Sequence, residues 1–402
     1  MIQNSTKSLG LKENLPQFLL LVLVNAFVGG MVGLERSILP KIAEVEFGMA
    51  VKTAILSFII VFGISKALTN YFMGRLANRY GRKSLLVAGW IFAIPVPFLL
   101  YFAQSWNWIL WANIFLGINQ GLAWSSTIIM KIDLVGPKNR GLAMGINESA
   151  GYLAVGLMAF LSAFIASEYG LHPYPFYIGF VLVFLGLFTS ILFIKDTRAF
   201  AKLESQTSTS LKLKRVFRET TFSNSNLSSI TIGGLANNLN DGMIWGLLPI
   251  LLYSLSFSIS EIGILAAVYP TIWGLGQLFT GVLGDKYSKK LLLVLGMVIQ
   301  AIGIFIIAYD TSYQTIFIAA LLLGIGTALV YPVFLAAIAD YTHPEQRAEC
   351  IGVYRLWRDL GYAIGALSSG IIADVYGLQT AFIVIGFITL AAGVQISVRM
   401  KD

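Results

Sequence analysis

Gly74-Arg-Leu-Ala-Asn-Arg-Tyr-Gly-Arg-Lys83 returns, degraded but legible, 207 positions later as Gly281-Val-Leu-Gly-Asp-Lys-Tyr-Ser-Lys-Lys290. Long apolar stretches flank both decapeptides, so neither reads as a surface loop of a water-soluble domain. The register persists beyond them. Gly117 and Gly324, Asp133 and Asp340, Pro137 and Pro344, Arg140 and Arg347, and Gly145 and Gly352 all keep the same spacing. A constant offset over so long a stretch marks two related halves joined in tandem. In a membrane chain, parallel halves point to a transporter.

Composition agrees. Of 402 residues, 57% are hydrophobic and 12% charged, against roughly 25% charged in an ordinary soluble domain. Twelve apolar stretches near 20 residues follow one another at about 16–39, 53–73, 85–103, 107–130, 142–166, 175–194, 227–253, 262–280, 291–309, 313–336, 351–373 and 380–398. Backbone amides in lipid must bond within their own segment, so spans of this length are helices; a β-barrel would show short alternating segments. The expected fold is an all-α membrane protein of two six-helix bundles, 1–194 and 227–402. A Ser-, Thr- and Lys-rich linker, 195–226, joins them, with a short amphipathic helix near Leu211–Phe217.

Charge sets orientation. The amino terminus, the even-numbered connections and the carboxyl tail hold 22 of the 28 Lys and Arg residues. The odd-numbered connections hold only Lys41 and Lys52. This asymmetry places both termini in the cytoplasm. It also accounts for the net charge of +8 without nucleic acid, which would need a basic stripe interleaved with aromatics on a soluble face. Cys350 is the single cysteine, so an internal disulfide and a thiolate metal site are excluded. His172 and His343 fall in connections on opposite sides and form no metal pair. The first apolar stretch runs into Glu35-Arg36 without a small-residue cleavage site, so no cleaved leader is expected. No Walker-type phosphate loop and no Ser/His/Asp set occurs, so neither ATP drive nor enzyme activity is expected, and no cofactor is required.

The decapeptide carries a resemblance. Gly74, Leu76, Asn78, Arg79, Tyr80, Gly81, Arg82 and Lys83 are similar to the loop signature of the major facilitator superfamily: Gly, Leu, an acid, then basic-aromatic-Gly-basic-basic. Span count, orientation, linker and repeat fit it over essentially the whole chain. The resemblance implies alternating access about a midplane site, with spans 1, 4, 7 and 10 lining the cavity and 2, 5, 8 and 11 flanking it. It also implies a gating role for Gly74, Asn78, Arg79, Gly81 and Arg82, and for Gly281, Asp285 and Lys286. Physically, the glycines permit a tight turn and close helix approach, and the cations anchor it to an anionic leaflet. A positive-inside anchor alone explains the cations but not the repeated glycine spacing. Departures are plain: Asn78 replaces the family's acid, weakening the first latch, while Asp285 keeps the second. Asn113 stands four residues before Gly117 where Arg is common. Span 5 reads Gly145-Ile-Asn-Glu-Ser-Ala-Gly151 and lacks the Gly-Pro signature of drug antiporters.

Polar residues segregate by span. Spans 3, 6, 9 and 12 carry no charge, with Gln300 and Gln395 the exceptional amides, and read as lipid-facing. A lone charge at the bilayer centre costs about 2.5–3.5 kcal/mol even on the lenient scale, so charges elsewhere face an interior. Asp241, mid-span 7 in Asn237-Asn-Leu-Asn-Asp-Gly-Met243, is the first candidate for coupling or substrate contact. The alternative is a structural hydrogen bond between helices. Glu148 is the second candidate. Asn25 occupies the matching stretch of span 1, so Asn25 and Asn237 are expected to face one another. Lys66 lies about 12 Å deep at about 1.5 Å per residue, within partial reach of snorkelling. Glu148 and Arg355 hold equivalent positions and could pair across the halves in one state or bind substrate separately; Arg355 could instead pair locally with Asp359, leaving Arg358 to another partner. Asn119, Gln120, Asn240, Tyr152 and Trp245 complete the candidates. Trp124, Trp273, Tyr331 and Tyr354 also sit on cavity-type spans, and two or three aromatics are expected to touch substrate. Glu35-Arg36 reads as part of an outer ion-pair network.

The residues favour a secondary transporter of a small polar or amphipathic solute, lodged in the lipid bilayer of the cell membrane, monomeric and without nucleic-acid partners. A proton or another ion could couple it. The alternatives are a non-transporting receptor or sensor on the same scaffold, and a lipid-acting enzyme, for which no catalytic set is present.

Overall fold

The computed structural model describes residues 8–136, 139–206, 212–310 and 312–401, and all regular structure among them is helical. Nine helical stretches are long and apolar enough to cross a membrane: Leu15–Val45, Ser57–Tyr80, Arg82–Tyr101, Arg140–Tyr169, Tyr174–Leu192, Ser260–Lys286, Lys289–Tyr309, Tyr313–Asp340 and Leu378–Arg399. These are spans 1, 2, 3, 5, 6, 8, 9, 10 and 12. The other three fall short for instructive reasons. Span 4 is broken into Trp106–Asn119, a π turn Gln120–Trp124, and Ser125–Val135. Span 7, Ser225–Ser254, carries the Asn-rich stretch and Asp241, and span 11, Arg347–Tyr376, carries Arg355, Arg358 and Asp359. Span 4 is thus interrupted by its π turn, and spans 7 and 11 are made less apolar by the buried polar groups they carry.

Several helices overrun their apolar stretches at one end of the molecule. Span 2 continues to Tyr80, span 8 to Lys286 and span 10 to Asp340, while spans 5 and 11 start at Arg140 and Arg347. Hydropathy does not register these turns because their residues are polar. As a result the repeated decapeptides are mostly helix. Gly74 and Gly281 lie inside spans 2 and 8, and the tight turn expected over ten residues shrinks to Gly81, whose φ of 96° suits glycine. At the equivalent place the second half has Ser288 with φ −54°, so the two turns differ.

Three further boundaries shift. Span 1 stops at Arg36, and a separate helix, Leu39–Val45, follows with Pro40 in its first turn. In the linker, helix occurs at Arg198–Ser205, with a shorter piece at Val216–Arg218. Leu211, the start of the expected amphipathic helix, lies outside the described residues. Lys131 belongs to span 4 and is fully buried, not in a connection as its charge suggested.

Spans 3, 6, 9 and 12 take the outside positions, with Phe98, Phe184, Ile302 and Val398 exposed on the outer surface. The two halves meet through spans 2 and 11 and through spans 5 and 8. Glycines set these crossings. A Cβ on Gly74 would lie 2.6 Å from the Ala348 carbonyl oxygen and 3.1 Å from Gly352 Cα. One on Gly281 would lie 2.5 Å from the Gly141 oxygen and 3.1 Å from Gly145 Cα. The two glycine pairs related by the 207-residue offset thus pack crosswise, each against the opposite half.

Candidate substrate cavity

Between the halves, Val32, Phe62, Lys66, Gln120, Trp124, Tyr152, Val155, Trp245 and Tyr362 surround a cavity of about 10 Å³, room for about one water. Contacts close it at both ends. At the end carrying the linker, the glycine crossings seal the halves. At the other, Asp374 of span 11 accepts hydrogen bonds from Lys52 N (3.1 Å), Thr53 N (3.2 Å) and Thr53 Oγ1 (2.6 Å).

The candidates fall into three groups. Lys66, Gln120, Tyr152 and Trp245 line the cavity itself. Lys66 does not snorkel; it is buried, and its Nζ is 3.6 Å from Asp359 Oδ1 across the halves. Asp359 also accepts from Arg358 Nη1 (2.9 Å), Asn238 Nδ2 (3.3 Å) and Asn70. The local pairing on span 11 is therefore Arg358 with Asp359. Arg355 reaches Ser125 Oγ at 2.7 Å and the Tyr331 hydroxyl at 3.3 Å, and Ser125 in turn donates to Asn70. This chain ties spans 2, 4 and 11 together. The π turn helps, because its extra residue re-aims Gln120 and Trp124.

Glu148 and Arg355 are not in contact. Glu148 accepts from Trp124 Nε1 at 3.0 Å and 3.1 Å and from Asn147, which also receives Lys131. Asp241 accepts from the Tyr269 hydroxyl and from Asn237 Nδ2 at 3.5 Å, and Tyr269 lies 3.2 Å from Thr327 Oγ1. Both carboxylates are fully buried and held by neutral donors within their own half.

The remaining amides bind helices to one another. Asn25 donates to the Asn147 carbonyl (2.8 Å) and accepts from Thr127 (2.9 Å), both in the first half, so it does not meet Asn237. Asn119 donates to Gly89 of span 3, and Asn240 to Gln300 of span 9 at 2.7 Å. Glu35 accepts from Asn113 (3.1 Å), the position where the family has Arg. Arg36 makes no ion pair among the described residues; its guanidinium stands 4.8 Å from the Phe62 ring centroid and 5.6 Å from that of Phe58. The outer ion-pair network expected from Glu35-Arg36 is thus replaced by a cation on aromatic faces.

The gating residues spread along the linker end. Asp285 accepts from Gly141 N (3.1 Å) and Leu142 N (3.2 Å), capping the start of span 5. Asn78, its equivalent, donates once, to the Glu345 carbonyl at 3.3 Å. Arg82 pairs with Asp133 at 3.1 Å, and Lys289 with Asp340 at 2.9 Å, the same contact repeated at the 207 offset. Arg79 and Lys286 are exposed.

Nothing in the residue pattern pointed to Glu204, on the linker helix. It accepts from Arg140 and from Arg347 (Nη1 3.0 Å, Nη2 2.9 Å), the equivalent arginines of the two halves. Burial opposes its ionisation, but the hydrogen bonds and charges of Arg347 and then Arg140 outweigh this and hold its carboxyl below the ordinary value. Tyr269 and Tyr362, on spans 8 and 11, were not among the expected aromatics, although Tyr269 donates to Asp241 and Tyr362 lines the cavity.

Twelve helices in two packed halves around a buried polar cavity define a polytopic membrane transporter. A profile described as Major Facilitator Superfamily matches residues 19–227 and 230–401, and the chain belongs to that superfamily. It is 24% identical over 341 residues to an uncharacterized MFS-type transporter of Methanocaldococcus jannaschii, covering 85% of this chain and 87% of the other. It is 24% identical over 378 residues to the multidrug resistance protein MdtG of Salmonella arizonae, covering 90% of each. In fold it is similar to the crystal structure of the human organic anion transporter MFSD10 (TETRAN), with a TM-score of 0.77 at 16% identity, over 95% of this chain and 99% of that one.

Proposed function

We propose that the chain is a secondary transporter in the cell membrane that moves a small polar or amphipathic solute by alternating access, as a monomer. Its halves, 1–194 and 227–402, rock about the central cavity, and the linker 195–226 lies on the cytoplasmic side with both termini. The observation that carries this reading is the pair of closures at opposite ends of one buried, charged cavity, each made of contacts between the halves. Rocking opens one closure while keeping the other. The missing Gly-Pro signature in span 5 argues against taking over the multidrug name of the MdtG relatives.

Asp241 and Glu148 are the coupling or substrate-contacting charges. Each is held by neutral donors, so each can exchange its charge for a proton without breaking an ion pair. A proton is the first coupling ion to test, with Lys66, Arg355 and Arg358 as the charges that compete for the carboxylates. Asp241→Asn keeps the size but cannot titrate. In proteoliposomes it should abolish accumulation against a gradient while sparing exchange; uphill transport equal to that of the parent would make Asp241 structural. Orientation has its own test. Reporter fusions at Gln104 should read outside and at the carboxyl tail inside, and a cytoplasmic signal at Gln104 would reverse the topology.

A further inference from the structure

The ion pairs and the stacked rings beside the cavity are concentrated at opposite crossings of the two halves. Spans 2 and 11 contribute Lys66 and Asp359, with Arg358 beside them. The positions equivalent by the 207 offset, Trp273 on span 8 and Tyr152 on span 5, stack at 3.4 Å between centroids. One crossing is an ionic pole and the other a pair of stacked rings, and two aromatics join them: Trp124, 5.2 Å from Tyr152 and 5.8 Å from Lys66 Nζ, and Tyr331, 5.6 Å from Tyr152 and 4.1 Å from the Arg358 guanidinium.

The ionic pole has more donors than the protein can satisfy. Lys66 and Arg358 share the single carboxylate of Asp359, while Glu148 and Asp241 are engaged by neutral donors. Among the described residues, Nη1 and Nη2 of Arg36, Nε of Arg355, and Nε and Nη2 of Arg358 are buried without an acceptor. All three side chains are 1% exposed. Orphan oxygens also occur, on Gln120 and on several asparagines, but an amide can turn to present either atom, whereas a guanidinium only donates. Oε1 of Glu35 is a genuine orphan acceptor and accounts for only one of the five. Leaving a buried charged donor unpaired is costly, so the groups that complete this pole are acceptors that carry negative charge.

We propose that the transported solute is an amphipathic organic anion. Its carboxylate or sulfonate is held by Arg358 and Lys66, with Arg355 and Arg36 supplying further positive charge, and its apolar or aromatic body lies against Tyr152, Trp273 and Trp124. The proposal rests on the transporter reading and narrows it. It also explains what the two carboxylates contribute. When Asp241 or Glu148 takes up a proton, the cations are left in excess, and an anion becomes the favoured occupant. Cargo and proton then travel together.

The test uses the full-length protein with 2-naphthoate, 2-naphthamide, 2-naphthylmethylammonium and acetate. Binding is read by quenching of tryptophan fluorescence in detergent, and flux by counterflow in proteoliposomes. Naphthoate should bind at least about tenfold more tightly than the amide, the ammonium or acetate, a difference of about 1.4 kcal/mol. Arg358→Gln should remove that preference, and Arg358→Lys should restore part of it. Should Arg358→Gln fail to fold, the comparison of the four probes on the parent protein still decides. Equal or tighter binding of the amide or the ammonium overturns the anionic assignment, as does binding of none of the probes. Acetate binding as well as naphthoate overturns the amphipathic part. Naphthoate bound without counterflow keeps the anion site and sinks transport; counterflow of the ammonium keeps transport and sinks the anion.

Discussion

Lys66 with Asp359, and Trp273 with Tyr152, occupy the same two positions of the repeat on opposite sides of the pseudo-symmetry axis. On one side the crossing of spans 2 and 11 is held by an ion pair at 3.6 Å, on the other the crossing of spans 5 and 8 by rings stacked at 3.4 Å. The backbone solution is common to both, because the glycine pairs that set the crossings are also exchanged by the offset. What fills each crossing is not. Duplicated halves build a symmetric frame, and divergence of a few side chains makes one crossing ionic and the other aromatic.

The ion-paired side should be the fragile one. Asp359→Asn leaves Lys66 and Arg358 buried without their counter-charge, a loss of about 3–5 kcal/mol, and thermal unfolding in detergent should show it as the largest drop among cavity variants. Trp273→Phe keeps a stacked ring and removes no charge, so its cost should be about 1 kcal/mol. Equal destabilisation by the two would mean that charge and stacking are interchangeable here, and the contrast would fail.

The linker end repeats the lesson on a smaller scale. Asp285 accepts from two backbone amides at the start of span 5, whereas Asn78 makes one donor contact with a carbonyl. Hydrogen bonds to a charged group contribute about 1.5–3 kcal/mol and neutral ones about 0.5–1.5 kcal/mol. Asp285→Ala should therefore loosen the closure and change flux severalfold more than Asn78→Ala. Accessibility of a cysteine placed near Gly141 reports the opening, and equal effects of the two variants would show that the latches carry the same weight.

The smallest effect is expected from the linker. Its carboxyl is held below the ordinary value, so the stabilisation that Glu204 contributes is complete above the ordinary carboxylate range and is lost as pH falls through the lowered value. Hydrogen exchange over 198–205 should rise in acid, and Glu204→Gln should show that raised exchange already at neutral pH and flatten the dependence.

Much of this frame was legible without coordinates. The 207-residue offset, the twelve apolar stretches and the segregation of polar residues by span number lead to a duplicated helical transporter, because burial of backbone amides in lipid leaves few alternatives. The chemical character of one residue was legible as well: Asp241 is too deep in its apolar stretch to be an ordinary surface charge, whereas the depth of Lys66 left snorkelling open.

Partnership was not legible. The pairing of Glu148 with Arg355, one of the alternatives, and the expected opposition of Asn25 to Asn237 followed from equal depth along the membrane normal. Sequence offset gives depth but not azimuth around a helix axis, and two helices at one depth can present these side chains in different directions. The π turn at Gln120–Trp124 shifts that azimuth within a single span, and nothing local in the sequence marks it. Tertiary packing alone decided that Asp359 gathers Lys66 and Arg358, that Arg36 rests on phenylalanine rings, and that Glu204 of the linker joins two arginines 207 residues apart. The chain by itself determined what crosses the membrane and what must be buried; only the folded arrangement decided which buried charge answers which, because that depends on helix rotation and crossing between segments far apart in the sequence.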